Sequence, residues 1–202
     1  MPLRARIPIF LGLFLFLWLT VTASALAGTL TASLLSHASS GPPVQRYRAC
    51  LFLGETVLND TSLNALRARI PHEPSLANRV CLRYVLAKRS QESKANRAFV
   101  MTYPADSNIR LLWKRQEQAG YPLGIAPPPE RYLAQRAYTS SKALRKLVAG
   151  LEYADGAHRE SLIELISRIY LQHPGRVVDA ARAARIPIAA IKQHAGAMKC
   201  HE

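Results

Sequence analysis

Residues 155–174 read DGAHRESLIELISRIYLQHP, and this stretch carries the clearest secondary-structure signal in the chain. Asp155 suits the N-cap of a helix, because its carboxylate can accept hydrogen bonds from the free N–H groups of the first turn. Between Asp155 and the proline at position 174, apolar residues recur at steps of three and four, which places them on one buried face of a helix. That stripe consists of Leu162, Leu165, Ile166, Ile169 and Tyr170.

The helical pattern extends over most of the chain. It begins at Val44 and continues to the C-terminus, and no stretch of five or more residues alternates as a strand does, apart from an ambiguous Ala49–Leu53. We therefore predict an all-α protein of irregular stacked helical hairpins, as in α-solenoids, with a compact helical bundle as the alternative. The predicted core is centred on Val80, Tyr84, Phe99, Leu112, Trp113, Leu162, Ile166 and Ile169.

The N-terminus differs in composition from the rest of the chain. Arg4 and Arg6 precede an apolar run over residues 7–23, which ends in an Ala-Leu-Ala tripeptide directly before Gly28. A basic flank, an apolar segment and a small-x-small ending are typical of a signal peptide, which we predict over residues 1–27. The protein is then exported to the periplasm or secreted. The alternative is an uncleaved anchor in the inner membrane, since about 17 apolar residues is the shortest run that spans a bilayer.

The remaining chain divides into two parts. Residues 28–43 read GTLTASLLSHASSGPP, and this Ser/Thr/Ala-rich composition predicts a flexible arm. Residues 44–202 are predicted to form a single helical domain, because a chain of this length supports one compact core.

The chain is strongly basic, with 27 lysines and arginines against 13 acids and a formal net charge of +14. Without the two arginines of residues 1–27 the charge is +12. Such an excess attracts an acidic protein face, a wall polymer or anionic lipid headgroups, although a solvated basic surface without a ligand is the alternative. The residues predicted to bind an anionic partner are Arg79, Arg83, Lys88, Arg89, Arg97, Arg131, Arg136, Lys142, Arg145 and Lys146.

The three cysteines are Cys50, Cys81 and Cys200. An oxidising compartment permits one disulfide among them and leaves one thiol over. Cys50 and Cys81 lie in apolar stretches, whereas Cys200 lies two residues from the end of the chain. We predict a Cys50–Cys81 disulfide, with the absence of any bridge as the alternative.

Residues 179–194, DAARAARIPIAAIKQH, resemble the helix-turn-helix of bacterial repressors. At the turn, Arg185 stands where that motif usually has glycine, and Pro187 where it has a polar cap. The resemblance implies a nucleic-acid binder. The alternative is a C-terminal helical hairpin, and nucleic acid is not the partner that we predict, because an exported chain meets no operator DNA.

Two glutamates are each followed by a serine, Glu92 and Glu160. This pair is similar to the one that opens the lytic transglycosylase signature, in which the glutamate protonates a glycosidic oxygen. The resemblance implies an enzyme acting on cell-wall glycan, although the Gly-Leu-Met-Gln-like turn of that family follows neither pair.

We predict no catalytic residue, metal site or cofactor. His194, Met198, Cys200 and His201 cluster near the C-terminus without a recognised metal spacing, and neither a Gly-x-Ser-x-Gly elbow nor a phosphate-binding loop is present. The predicted function is a non-enzymatic interaction module of the cell envelope, with a basic surface for an anionic partner.

Overall fold

The fold is given by a computed structural model that describes residues 28–90, 92–122 and 124–200, so the predicted signal peptide lies outside the described residues. Within these ranges the chain is all-α without strands, as predicted, and the ambiguous Ala49–Leu53 is helical. In the same ranges, no helix has both the length and the apolar character that a membrane span requires. The helices are α1 (28–40), α2 (Pro43–Leu53), α3 (Asp60–Arg69), α4 (Leu76–Ser90), α5 (Ser93–Thr102), α6 (Ile109–Gln118), α7 (Pro128–Ala137), α8 (Ser141–Ala149), α9 (Gly156–Gln172), α10 (Pro174–Ala184) and α11 (Ala189–Lys199).

The helices of the first half surround α4, which contacts α2, α3, α5, α6 and α7. Helix α7 continues the packing into the second half, where α8 and α9 contact each other, α7 and α10, and α11 packs on α9. Contacts between helices that are distant in sequence, such as α2 with α6, favour the compact bundle. The solenoid-like stacking stays a prediction.

The predicted core residues are all buried, each with at most 3% of its surface exposed. On α9 the stripe faces inward as the periodicity predicts, and its flanking members Leu165 and Tyr170 pack against the core from its edge. An aromatic cluster joins α4, α5 and α7, because Phe99 meets the rings of Tyr84, Tyr103 and Tyr132 at centroid distances of 5.5 to 6.3 Å. This cluster fixes how α5 lies against α7.

Helix α1 corrects the prediction of a flexible arm over residues 28–43. Residues 28–40 are helical, Ala38 is buried, and Leu34 and Leu35 pack against the core. The serines that suggested a loop are accommodated, since the Ser39 hydroxyl donates to the carbonyl of Leu35 one turn earlier at 2.8 Å. Composition did not show that the two leucines find a tertiary partner, so helix α1 was not predicted.

Two glutamates are buried in this fold, and neither was singled out from the sequence. Glu73 lies in the connection between α3 and α4, with 1% of its surface exposed. Glu130 lies in the first turn of α7 and is fully buried. Burial of a carboxylate is costly unless it is paired or hydrogen-bonded, so both side chains must find partners within the protein.

Candidate anion-binding site

Several of the predicted anion-binding residues already bind oxygen atoms of the protein. The Lys88 Nζ contacts both carboxylate oxygens of Glu55 at 2.8 Å. Burial raises the pKa of Glu55, but hydrogen bonds from Lys88 and Tyr84 outweigh it and hold the pKa below its ordinary value. Arg89, one residue further along α4, donates to the carbonyl of Gly54. These two cations therefore fasten the end of α2 to α4.

Arg79 and Lys146 are used in the same way. The Arg79 guanidinium donates to two backbone carbonyls of the α3–α4 connection at 2.7 and 2.9 Å. The Lys146 ammonium donates to the carbonyls of Met101, at 3.2 Å, and Tyr103, and so joins α8 to the C-terminal end of α5. Burial, together with the nearby charge of Lys142, lowers the pKa of Lys146. Three of the four predicted cations on α4, Arg79, Lys88 and Arg89, therefore bind oxygen atoms within the protein.

Three of the predicted cations are free and meet at one cleft. Arg97 from α5, Arg136 from α7 and Lys142 from α8 line a cavity of about 340 Å³, which we call the α5–α8 cleft. Among the described residues, no carboxylate pairs with any of these three side chains. The cleft is completed by Ser93, Asn96, Val100, Met101 and Ser140, so its lining contains no acid. Three uncompensated positive charges at one concave site attract an anion.

One face of α5 forms a wall of this cleft. Ser93, Asn96, Arg97, Val100 and Met101 follow one another at steps of three, one, three and one, which puts them on the same side of a helix. Polar groups occupy the N-terminal half of that face and apolar groups the C-terminal half. The cleft therefore offers a charged part beside an apolar part.

Hydrogen bonds join the helices that form the cleft. The Tyr132 hydroxyl of α7 lies 2.6 Å from Asn96 Oδ1 on α5 and 3.0 Å from the carbonyl oxygen of Ala87 on α4. The Asn96 amide nitrogen donates to the carbonyl of Glu92 at 3.0 Å, which leaves its second N–H free. Lys146 joins α8 to α5, as described above. The hydrogen bonds of Tyr132 and Lys146 therefore hold α7 and α8 in place relative to α5.

Helix α10 stabilises the turn between α7 and α8. Arg176 on α10 donates to the carbonyls of Ala137, at 3.1 Å, and Tyr138. The Ser140 side chain then caps α8, and its backbone N–H donates to the carbonyl of Arg136 at 2.8 Å. The corner that carries Arg136 and Lys142 is thus positioned by α10.

A second cavity of about 300 Å³ adjoins the cleft and shares Lys142 with it. Arg145 and Lys146 line this cavity, with alanines of α8 and α10 as its floor. Of the remaining predicted residues, Arg131 faces a different cavity beside Glu55 and Lys88. Arg83 lies on α4 outside the cleft.

Sequence reasoning missed the polar groups of the cleft. Ser93, Asn96 and Arg97 share one face of α5, a spacing that could have grouped them, whereas Ser140 lies about 40 residues further along the chain and shares no local pattern with them. It also missed a groove of about 630 Å³ between α6 and the N-terminal ends of α2 and α4, to which Lys114 and Arg115 contribute. No local sequence pattern predicts that groove, because its walls come from three separate segments of the chain.

The two cysteines of the predicted disulfide lie together as free thiols. Cys50 on α2 and Cys81 on α4 are both buried. Burial raises the pKa of Cys50 well above its ordinary value, and a hydrogen bond with Cys81 adds to this shift. The predicted bond is not formed in the structure, and the disulfide stays a prediction.

The two glutamates of the transglycosylase resemblance lie at the surface. Glu92 pairs with Arg67, and half of its side chain is exposed. Glu160 is exposed on α9. A general acid needs a pKa raised by an apolar or acidic environment. Of the four cavities lined by described residues, none is lined by Glu92 or Glu160.

Residues 179–194 fold into the end of α10, a tight turn and the start of α11. Arg185 closes the turn in the left-handed conformation, with φ of 57°, at the position where glycine is preferred. Ile191 and Ala195 of α11 are buried, and the Ser167 hydroxyl of α9 donates to the carbonyl of Ile191 at 3.1 Å. These contacts give α11 a packing role against α9.

Over residues 28–90, 92–122 and 124–200, no three histidine, cysteine or acidic side chains are grouped as a metal site would require. His201 of the C-terminal cluster lies outside those ranges. Comparison of the chain with protein-family models, curated proteins and solved structures finds no match. The functional interpretation therefore depends on this chain's own residues.

Proposed function

We propose that this protein is a non-enzymatic interaction module of the cell envelope that binds an anionic partner in the α5–α8 cleft. The observation that carries the proposal is the convergence of Arg97, Arg136 and Lys142 on one acid-free cavity. The export of the chain is a separate part of the proposal and depends on the composition of residues 1–27 alone.

The use of the other cations supports this choice of site. Arg79, Lys88, Arg89 and Lys146 bind oxygen atoms within the protein, so their charges are already partly compensated. Among the described residues the three cleft cations have no such contacts, so an anion entering the cleft would meet them without first breaking one. A positive cavity of this kind raises the local concentration of anions and the rate at which they bind.

The test is a pull-down from an envelope extract at low and high salt, using the full chain in detergent. A cleft variant carries Arg97→Gln, Arg136→Gln and Lys142→Gln. A matched control carries Arg83→Gln, Arg131→Gln and Lys114→Gln, which removes the same two arginines and one lysine from outside the cleft. Both variants lower the formal net charge from +14 to +11.

We expect the wild type and the control to retain acidic partners at low salt and to release them at high salt, because exposed charges are screened within about 8 Å at physiological ionic strength. The cleft variant should retain little at either salt concentration. Equal losses in the two variants would mean that total charge, and not the cleft, is responsible, and the proposal would be wrong.

A further inference from the structure

We infer that the α5–α8 cleft recognises a terminal phosphate group, a phosphate monoester carried either by a lipid headgroup or by a soluble molecule. This inference rests on the proposed function and names the class of ligand. It follows from the number of hydrogen-bond donors, the charge and the size of the cleft.

The donors of the cleft exceed what a carboxylate can accept. Arg97 and Arg136 each present a planar fork of N–H groups, and Lys142 adds an ammonium group. The Ser93 hydroxyl and the free N–H of Asn96 bring neutral donors to the same wall. A carboxylate has two acceptor oxygens, whereas a phosphate monoester has three terminal oxygens, and guanidinium forks match phosphate geometry well.

Charge also favours a dianion. The three cations of the cleft face no carboxylate among the described residues that line it. A phosphate monoester carries a charge of about −1.5 to −2 at pH 7 and neutralises most of this excess. A phosphodiester or a sulfate ester is a monoanion and leaves two positive charges uncompensated.

The size of the cleft suits one anionic group. Its volume is about 340 Å³, and its three cations line that one cavity. Val100 and Met101 line the end away from Ser93, and Met101 is 54% exposed. They offer an apolar surface to the carbon atoms next to the ester oxygen.

The first arm of the test uses soluble probes with the full chain in detergent. Calorimetric titration with glycerol 1-phosphate should give affinity about tenfold or more above that for methyl sulfate or acetate at equal ionic strength. Affinity for glycerol 1-phosphate should rise between pH 5 and pH 7, because the second pKa of a phosphate monoester is about 6. Among the described residues that line the cleft, Arg97, Arg136 and Lys142 alone are charged, so the ligand supplies this dependence.

The second arm distinguishes a lipid from a soluble source. Sedimentation with phosphatidylcholine vesicles that contain phosphatidic acid, a monoester, is compared with vesicles that contain the same fraction of phosphatidylglycerol, a diester. Preference for phosphatidic acid that glycerol 1-phosphate does not displace indicates a lipid ligand. Displacement by the soluble probe indicates a soluble one. In both cases the Arg97→Gln/Arg136→Gln/Lys142→Gln variant should lose the preference and the matched control should keep it.

The outcomes separate this inference from the proposed function. If phosphatidic acid and phosphatidylglycerol bind equally and only the cleft variant is weakened, the cleft binds anions but the phosphate inference is wrong. If glycerol 1-phosphate and methyl sulfate bind equally, or neither probe nor vesicle binds, the phosphate inference is also wrong, and the pull-down alone decides the proposed function. If the cleft and control variants weaken equally, both proposals fail.

Discussion

Glu73 and Glu130 are the same residue type at nearly the same burial, yet their surroundings differ. The Glu73 carboxylate accepts two hydrogen bonds from the Arg46 guanidinium at 2.9 Å, and the Arg69 guanidinium lies 3.5 Å away. Among the described residues, the Glu130 carboxylate forms no ion pair. Its Oε1 accepts from Trp113 Nε1 at 2.5 Å and from the Tyr103 hydroxyl at 3.1 Å. Within the described residues, its Oε2 has no hydrogen-bond partner.

The difference shows that partners, and not burial alone, decide the charge of a buried carboxyl. Burial raises the pKa of both groups, but hydrogen bonds from Arg46 and the Ser75 backbone outweigh it at Glu73, and the pKa of Glu73 is lowered. At Glu130 burial prevails over the hydrogen bonds from Trp113 and Tyr103, and the pKa is raised. Glu73 is therefore an ionic tie between α2 and the α3–α4 connection, whereas burial makes the Glu130 carboxyl harder to ionise than a free glutamate.

The largest effect is expected for Glu73→Ala, because it leaves the buried Arg46 without its partner. Removing one member of a buried pair costs about 3–5 kcal/mol in the free energy of unfolding. Urea unfolding at pH 7 measures this loss. Glu164→Ala is the control, since Glu164 forms an exposed pair with Arg168, and it should change stability little. A small loss for Glu73→Ala would show that the ion pair is not structural.

Ile166→Ala measures the loss of stability when an apolar core side chain is truncated, with which the losses at the buried glutamates can be compared. Ile166 is fully buried on α9, and its truncation should cost about 2–5 kcal/mol because it opens a cavity in the core. The same urea experiment measures the change. A loss below about 0.5 kcal/mol would mean that the stripe of α9 does not face a packed core.

The pH dependence of stability should have opposite signs at the two glutamates. The ion pair of Glu73 stabilises the protein above the ordinary glutamate pKa of 4.5, and this contribution is lost as the pH falls through the lowered pKa. For Glu130 the reverse holds: its contribution is complete below 4.5 and is lost as the pH rises through the raised pKa.

Unfolding of Glu73→Gln and Glu130→Gln between about pH 2 and pH 8 tests this contrast. The loss of unfolding free energy caused by Glu73→Gln, relative to the wild type, should shrink as the pH falls. The unfolding free energy of Glu130→Gln, relative to the wild type, should increase as the pH rises. Glutamine keeps an oxygen that can accept from Trp113 and Tyr103. Parallel pH profiles for the two variants would contradict the assignment.

The smallest effect is expected for Arg69→Gln. Arg69 contacts Glu73 at 3.5 Å and keeps about a quarter of its side chain exposed, whereas Arg46 makes the short double contact. We expect a loss of about 1 kcal/mol or less, typical of a partly solvated pair. A loss as large as that of Glu73→Ala would show that both cations are needed to hold the carboxylate.

The sequence predicted the helices and much of the core, because both depend on local spacing. Ile166 and Phe99 were assigned to the core from steps of three and four residues, and both are fully buried. The burial of Glu130 could not be predicted in this way. An acid in the first turn of a helix after three prolines is typical of an exposed residue, and the Trp113 that binds it belongs to another helix.

The sequence predicted which basic residues could bind an anion, but it did not predict which of them lie together in one cleft. Lys88 could not be separated from Arg97 by sequence, because the Glu55 that neutralises Lys88 lies 33 residues earlier in the chain. Arg97 and Lys142 meet only because the fold brings α5 and α8 to one cavity. Whether a basic side chain is paired within the protein or left unpaired depends on residues distant in sequence, and a local pattern does not show them.

The fastening of the α5–α8 cleft by Tyr132 and Lys146 has a consequence for kinetics. Walls that are already held in place do not have to be ordered or moved when an anion enters, so the free-energy cost of closing around it is small. Association should then be a single step, with a rate constant that decreases as salt is added and does not level off at high ligand concentration. Dissociation, which must separate the anion from both arginine forks, would set how long the complex lasts.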